Sequence, residues 1–482
     1  MRVIGIIAFI ASWFACATGQ ERSIPPIPPL PSIEQRAWHE LEFYLFMHFG
    51  PNTFTDVEWG KGTESEKVFN PSQLDCRQWC RITKAAGAKG IIITAKHHDG
   101  FCLWPSKYSS HTVRESGWKD GKGDVLKELS AACREYGLKF GVYISPWDRN
   151  HPAYGTPEYN DVYINTMKEV FANYGPLFEL WWDGANGEGP NGKKQIYDFK
   201  KFENVVREFS PHTVVFSDIG PDIRWVGNED GVAGETNWNL LDTAGFGRGA
   251  TSPPTDTLNR GNENGANWIP AECDVSIRPG WFYHAGQDTL VKTPEQLMRL
   301  YLLSVGRGSS LLLNVPPDTR GLIHEQDSAA LMGFKKLRDK LVPRNLALGV
   351  KAVAIDNGKE IETPNLNDGD SRTCWAPEPG KNICTIELDL GGEKSFTTIQ
   401  LQEGIEFGQR IKSFSLEVEQ KAGWKRVASG TTIGYKRILQ FPKATAQKIR
   451  LNILSSKATP MLSEIAIFSS HYYGDPPKGH RP

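Results

Sequence analysis

Gly90-Ile91-Ile92-Ile93-Thr94-Ala95-Lys96-His97-His98-Asp99-Gly100-Phe101 is the stretch on which the reading of this chain turns. It starts as a continuous apolar run, as expected of a strand covered on both faces. It ends in ionisable side chains, which a core does not explain. The same change of character recurs along the chain. A strand read over Tyr44–Phe49 leads into His48-Phe49-Gly50 and then Glu58-Trp59-Gly60. One over Lys139–Ile144 carries Tyr143 and leads to Pro146-Trp147-Asp148. One over Leu177–Trp182 ends in Trp181-Trp182-Asp183-Gly184, and one over Thr213–Phe216 leads to Asp218.

Between these runs the apolar period changes to that of a helix. Helices are expected near Asp75–Ala86, Asp124–Tyr136, Asp161–Tyr174 and Ile196–Phe209. Residues 220–290 are rich in Gly and Asn, and no clear pattern shows there. The alternation resumes at Thr293-Pro294-Glu295-Gln296, a capping box with Pro at the first helical position. A last strand is expected over Leu311–Val315 and a last helix over His324–Leu341. Repeated strand–helix units over about 300 residues predict an α/β fold of the (β/α)8 barrel type. No Gly-x-Gly-x-x-Gly follows the first strand, which argues against a dinucleotide-binding sheet. In such barrels the strand C-termini share one mouth, so the five polar endings predict a single site.

From about Gly349 the period becomes two, as in Thr385-Ile386-Glu387-Leu388-Asp389-Leu390 and Phe414-Ser415-Leu416-Glu417-Val418. This predicts an all-β sandwich. The expected organisation is a signal peptide at 1–19, a catalytic barrel over 20–345, a sandwich over 346–472 and a tail over 473–482. Within the barrel segment, the Pro-rich stretch 20–33 should be extended and lie on the surface. Arg2, the apolar Val3–Phe14 and the small residues Ala15-Cys16-Ala17 have the form of a secretory signal, implying a secreted or periplasmic protein. A lipid anchor on Cys16 fits poorly, because Trp13 and Phe14 do not suit the preceding positions. No later segment has the length and apolarity of a membrane span.

Composition narrows the function. Fifty-five basic residues stand against fifty-six acidic ones, so there is no basic surplus to hold nucleic acid. Eight cysteines are scattered, without the spacing of a disulfide framework or a zinc site, although Cys374 and Cys384 could close a short loop. No His-x-His or His-Glu-x-x-His motif occurs, and neighbours such as His97 and His98 should point to opposite sides of an extended segment. Neither a metal nor a cofactor is expected. Fifteen Trp and fourteen Tyr suit a sugar site, where C–H faces pack on flat rings.

Glycoside cleavage needs two carboxyl groups, one as nucleophile or base and one as proton donor. Asp183, following two Trp, is placed as the nucleophile; the acid is to be sought among Glu229, Glu235 and Glu272. Together these motifs, with Asn314-Val315-Pro316-Pro317-Asp318, resemble the α-L-fucosidases of glycoside hydrolase family 29. The stretches Arg224–Gly231 and Pro270–Tyr283 look like the subfamily acting on α-1,3/1,4-linked fucose of branched, Lewis-type glycans. Leu366–Trp375 and Leu388–Gly391 look like a discoidin-type (factor 5/8 C) sandwich.

The resemblance implies a retaining exo-fucosidase that forms a fucosyl-enzyme on Asp183, with Glu229 as acid and base and a fucosylated oligosaccharide or glycoconjugate as its partner. It implies that His48, His97 and His98 hold sugar hydroxyls with Glu58, and that Trp59, Trp181 and Trp281 pack on the apolar face. Tyr143 joins the substrate-binding set. Glu272 is either a rival acid or a contact to the leaving sugar. Arg224 and Arg278 could touch sugar or simply tie loops. Two other readings are a glycan-binding protein on a decayed barrel and a different retaining glycosidase on the same barrel.

Overall fold

The computed structural model describes residues 24–341 and 344–469. The expected signal peptide at 1–19 and the tail at 473–482 lie outside the described residues. Eight parallel strands close a barrel: β1 (Phe43–Met47), β2 (Gly90–Lys96), β3 (Lys139–Ile144), β4 (Glu179–Trp181), β5 (Val214–Ser217), β6 (Ile223–Trp225), β9 (Ala271–Ser276) and β10 (Ser310–Asn314). A small antiparallel ribbon, β7 (Leu240–Leu241) and β8 (Asn267–Trp268), stands outside it.

Each barrel strand sorts its side chains by parity, as the period of two requires. Phe43, Leu45 and Met47 join Ile91, Ile93, Val142, Leu180, Leu311 and Leu313 in the outer core beneath the helices. Tyr44, Phe46, Ile92, Tyr143, Trp181, Phe216 and Leu312 fill the barrel interior. Several helices begin at a side-chain cap, whereas the one expected from Asp161 begins at Glu158 without one. Asp75, Asp124 and Asp198 accept from the backbone N–H three residues on, and Thr293 with Gln296 forms the reciprocal capping box. The expected elements appear with their ends shifted by a few residues.

The region 220–290 hides two barrel strands. β6 has three residues and follows β5 after a five-residue turn, without a helix. Asp222 makes the turn possible: its carboxylate accepts from Val215 N at 2.7 Å and from Arg207. β9 turns Glu272, Asp274 and Ser276 toward the axis, so its inward face is polar and no apolar run marks it. Much of the remaining stretch serves packing. Ala233 N donates to Leu303 O, and the chain then docks on the C-terminal domain.

That domain contains β11 (Lys351–Asp356), β12 (Lys359–Glu362), β13 (Cys384–Glu403), β14 (Ile411–Gln420), β15 (Gly423–Gly430), β16 (Arg437–Ser456) and β17 (Leu462–Phe468), all antiparallel. The two twenty-residue strands β13 and β16 break register between Asp389 and Lys394 and again between Phe396 and Thr398. Such breaks bend paired strands. One half of β13 pairs with β11 and the other with β17, and a single apolar core of Ile386, Leu401, Phe414, Leu451 and Ile465 lies between the layers. The Pro-rich stretch lies extended on this domain: Ile27 N donates to Phe407 O, and Arg410 donates to Pro25 O. The Cys374–Cys384 pair is not made; Cys384 is a free thiol, which burial pushes up to about 12.

The sandwich packs on the end of the barrel where β1 and β10 begin. Tyr435 stacks on His39 at 5.2 Å, and Lys436 pairs with Glu42. Gln409 is buried and clamps a barrel segment by its main chain, accepting from Asn239 N at 2.7 Å and donating to Asn237 O at 2.9 Å. Gln409→Ala would strand two buried backbone groups, a loss of about 2 kcal/mol or more. We expect it to lower the urea midpoint of unfolding while leaving kcat/KM at 25 °C within about twofold, because the mouth is at the other end. A parallel loss of activity in the folded variant would show that the sandwich shapes the site.

Candidate active site

The strand C-termini enclose a cavity of about 200 Å³ lined by Phe46, His48, Glu58, Trp59, His97, His98, Tyr143, Trp181, Asp183, Ala185, Glu229, Asp274 and Trp281. Drug-sized ligands occupy some 300–1,000 Å³, so this cavity suits one sugar ring. A larger crevice in the sandwich, near Trp375 and Lys381, has none of the strand-end residues.

Asp183 follows β4 and is held by both oxygens. Tyr143 donates its hydroxyl to Oδ2 at 2.9 Å, and Ala185 N donates to Oδ1 at 2.7 Å. These donors aim the carboxylate and leave it partly open to the cavity. Trp181 forms the floor, stacked on Phe216 at 3.9 Å. Its neighbour Trp182 has the opposite parity and packs outward on Phe199 and Phe202. Only one of the two Trp therefore faces the site.

Both His97 and His98 line the cavity, with ring centroids 4.2 Å apart. The expectation of opposite directions fails because the pairing of β2 with β3 slips between Thr94 and Lys96 and the strand ends there. Lys96 turns away into a buried pair with Asp148 at 2.9 Å. Burial would raise the Asp148 carboxyl, but Lys96 and two backbone donors bring it down to about 2.

Burial keeps the three histidines neutral. Burial pulls His48 down to about 3 and lowers His97 and His98 as well. Asn314 sets the tautomer of His48. Its amide nitrogen donates to Trp281 O at 2.7 Å and to Ser276 Oγ at 2.9 Å, so its oxygen must accept from His48 Nδ1 at 2.8 Å. Nε2 of His48 is left as an acceptor. Ser145 does the same for His98: it donates to Trp147 O and faces His98 Nδ1 at 2.8 Å, leaving Nε2 3.6 Å from Asp183. Two buried acceptors flank the carboxylate, ready for sugar hydroxyls.

The opposite wall is a strap over 280–284. Glu58 accepts from Trp281 N at 2.9 Å and meets His284 Nε2 at 2.6 Å. A Cβ on Gly280 would sit 2.2 Å from the Glu58 carboxylate, so a larger residue there would push that carboxylate aside. Trp281 leans on His48 at 5.1 Å and donates its indole N–H to Glu229 at 3.2 Å. Glu229 stands exposed at the rim. Partial burial raises its carboxyl, the indole hydrogen bond opposes this, and the charge of Asp183 adds to the rise. Trp59 is also at the rim, 57% exposed, edge-on to His98 and Trp147.

Five residues considered from the sequence are elsewhere. Glu272 points to the axis one step below the cavity and is fully buried. Its oxygens accept from Trp181 Nε1 at 2.8 Å and from the Tyr44 hydroxyl, and it shares the barrel interior with Glu179. Burial raises both carboxyls. Glu272 therefore cannot meet a leaving sugar; it steadies the Trp181 floor. Glu235 is near the sandwich, 3.6 Å from Arg437. Asp218 accepts from Ile219 N and Gly249 N and does not line the cavity. Arg224 is buried on the carbonyls of Leu258, Ile269 and Trp238, and Arg278 pairs with Asp327 and Asp288, so both tie loops.

Sequence reading missed Phe46, Asp274 and the support Ser145, and it gave Asn314 no role although it stands in a quoted motif. Parity along β9 would have shown Asp274 once that strand was recognised. Among the described residues no cluster of His, Cys, Asp and Glu could hold a metal ion.

Comparison with known proteins agrees with this geometry. Residues 33–336 match the family model for alpha-L-fucosidase, and residues 351–465 match that for the F5/8 type C domain. The chain is 41% identical to Alpha-L-fucosidase 1 of Arabidopsis thaliana over 93% of its own length and 89% of the relative's. It superposes on the crystal structure of SpGH29 with a TM-score of 0.88 at 41% identity, covering 93% of this chain and all of that one. A Ruminococcus gnavus GH29 fucosidase solved in complex with fucose gives a TM-score of 0.85 at 32% identity, over 93% of this chain and 97% of that one. With the barrel, the carboxylates and the F5/8 type C domain in place, the chain belongs to the α-L-fucosidase family of glycoside hydrolases.

Proposed function

We propose that this protein is a retaining exo-α-L-fucosidase that removes α-1,3/1,4-linked fucose from branched, Lewis-type glycans. The observation that carries the reading is Asp183, held by Tyr143 and Ala185 in a cavity the size of one sugar, with Glu229 at the rim. Asp183 attacks the anomeric carbon from the floor. Glu229 gives its proton to the departing oxygen at the rim, where the leaving glycan must lie, and then takes a proton from the attacking water. Neutral His48 and His98 offer acceptors to sugar hydroxyls without adding positive charge that would oppose an oxocarbenium-like transition state. Trp181 and Trp281 supply apolar faces and exclude water. The linkage preference is supported by the resemblance of Arg224–Gly231 and Pro270–Tyr283, which bring Glu229 and Trp281 to the rim. The sandwich contributes no residue to the cavity, which supports a packing role for it. The N-terminal apolar run supports export, to the periplasm or outside the cell.

Asp183→Asn should lower kcat by at least about 10³-fold while L-fucose still binds, since the amide keeps the shape but is a poor nucleophile. Retention of more than a few per cent of activity would remove Asp183 from the mechanism.

Glu229→Gln should cripple natural glycans but spare the first step on an activated aryl fucoside, whose leaving group needs no proton. Azide should then accelerate turnover by replacing the water that Glu229 activates. Because the Glu229 carboxyl is raised, it stays protonated above the usual carboxylate range, and kcat/KM should fall as pH rises through its pKa. That basic limb should appear in wild type on a natural glycan and be absent on the aryl fucoside, whose first step needs no proton, in wild type and Glu229→Gln alike. No azide rescue of Glu229→Gln, or a wild-type basic limb as strong on the aryl fucoside as on the glycan, would overturn the assignment.

For linkage, a Lewis trisaccharide should be cleaved much faster than 2-fucosyllactose, because contacts to the remote sugar would assist the chemical step. Comparable rates would refute the α-1,3/1,4 reading.

A further inference from the structure

Four carboxyl groups line the cavity, those of Glu58, Asp183, Glu229 and Asp274, with no Lys or Arg among the lining residues. Three of them are engaged: Glu58 by the strap, Asp183 by Tyr143 and Ala185, and Glu229 by the Trp281 indole. Asp274 is different. It points inward from the middle of β9, its backbone in register with Leu312, and it is only 3% exposed. Its Oδ1 has no hydrogen-bond partner among the described residues. Glu229, Glu272 and Asp183 all act on it electrostatically with the same sign. The first donors to hand are already taken, since the Tyr44 hydroxyl and the Trp181 indole both serve Glu272.

An ionised carboxylate would be poorly placed here. Buried, short of donors and surrounded by like charges, it gains more by keeping its proton, and burial with the charge of Glu229 raises it well above the usual range. A neutral carboxylic acid is a hydrogen-bond donor as well as an acceptor, and a buried one can be held so for that purpose. Resting on the fucosidase reading, we propose that Asp274 is a further substrate-contacting residue of this site, a neutral acid that donates a hydrogen bond to an oxygen of the bound sugar beside Glu229. It transfers no proton; its bond is made in the ground state and kept through the reaction. The contact explains why a costly polar group faces the cavity in register with the apolar Leu312.

The amide of Asn can make the same donation, whereas Ala cannot, and this asymmetry is the test. In the full chain, Asp274→Asn should keep kcat/KM on an aryl fucoside within about threefold of wild type. Asp274→Ala should raise KM by up to about tenfold with kcat little changed, the pattern of a lost uniform contact worth about 0.5–1.5 kcal/mol. Asp274→Leu, of similar size and without a donor, should behave like Asp274→Ala and guards against a cavity effect. Thermal midpoints establish that each variant is folded. Calorimetric titration with L-fucose reads the contact without turnover: weaker binding by the Ala and Leu variants but not by Asn is the expected result. Equal affinities for all four proteins would overturn the proposal. Asn failing as badly as Ala would also overturn it, because an ionised or proton-transferring Asp274 would then be required. A wild-type protein that binds fucose but turns over no fucoside would refute the functional reading and leave the contact to stand or fall on the titration alone.

Discussion

A strand in a closed barrel can send only every second side chain to the axis, and the rest of this molecule follows from that constraint. Outward positions such as Leu45, Ile93, Val142 and Leu313 give the helices their apolar seat. Inward positions must fill a narrow column. At its lower level the column is closed by Tyr44, Phe178, Glu179 and Glu272 under the Trp38 indole, which donates to Glu179 at 3.1 Å. At its upper level the same parity delivers Phe46, Tyr143, Trp181 and Asp274 to the cavity. The site is thus the top of the barrel core rather than an addition to it.

This origin accounts for the chemistry of the lining. Buried ionisable groups avoid charge unless they are paired. Lys96 and Asp148 achieve this with each other, outside the cavity. The histidines achieve it by losing their protons, and Asn314 and Ser145 then decide which nitrogen remains an acceptor. Asp183 is surrounded by directed dipoles and aromatic faces instead of a lysine or arginine, an arrangement that leaves the carboxylate partly open to the cavity. The strap carrying Trp281 completes the wall, and Gly280 leaves room beside it for the Glu58 carboxylate.

The C-terminal domain acts at a distance. It grips the chain between β6 and β9 through Gln409, Thr431 and Thr432, and it grips the start of β1 through Tyr435 and Lys436. The excursion it holds is the one that begins just after Glu229. A domain without a residue in the cavity therefore packs against the far end of the stretch that follows Glu229. The Pro-rich stretch adds a second tie, running along the sandwich before entering the barrel.

The sequence by itself determined the barrel, the sandwich and most of the mouth. Short apolar runs that recur between helical segments read as strands covered on both sides, and in a barrel the polar groups directly after them collect at one end. His48, His97, Tyr143 and Asp183 could be placed for that reason. Helix starts were equally plain, since Asp124 and Thr293 act on neighbours three residues away. Only the tertiary structure decided which carboxyls line the cavity. Glu229, Glu235 and Glu272 are alike in sequence, yet one lines the rim, one faces the sandwich and one is buried below the floor. β6 and β9 were hidden because their signals are a three-residue length and a polar inward face, which become strand-like only when neighbouring strands supply the missing hydrogen bonds. His97 and His98 share a wall because β2 ends in a slipped register with β3, a pairing between residues some fifty positions apart. Local patterns fix what a residue prefers; the direction in which a side chain points at the mouth is set by the register of strands distant in the chain.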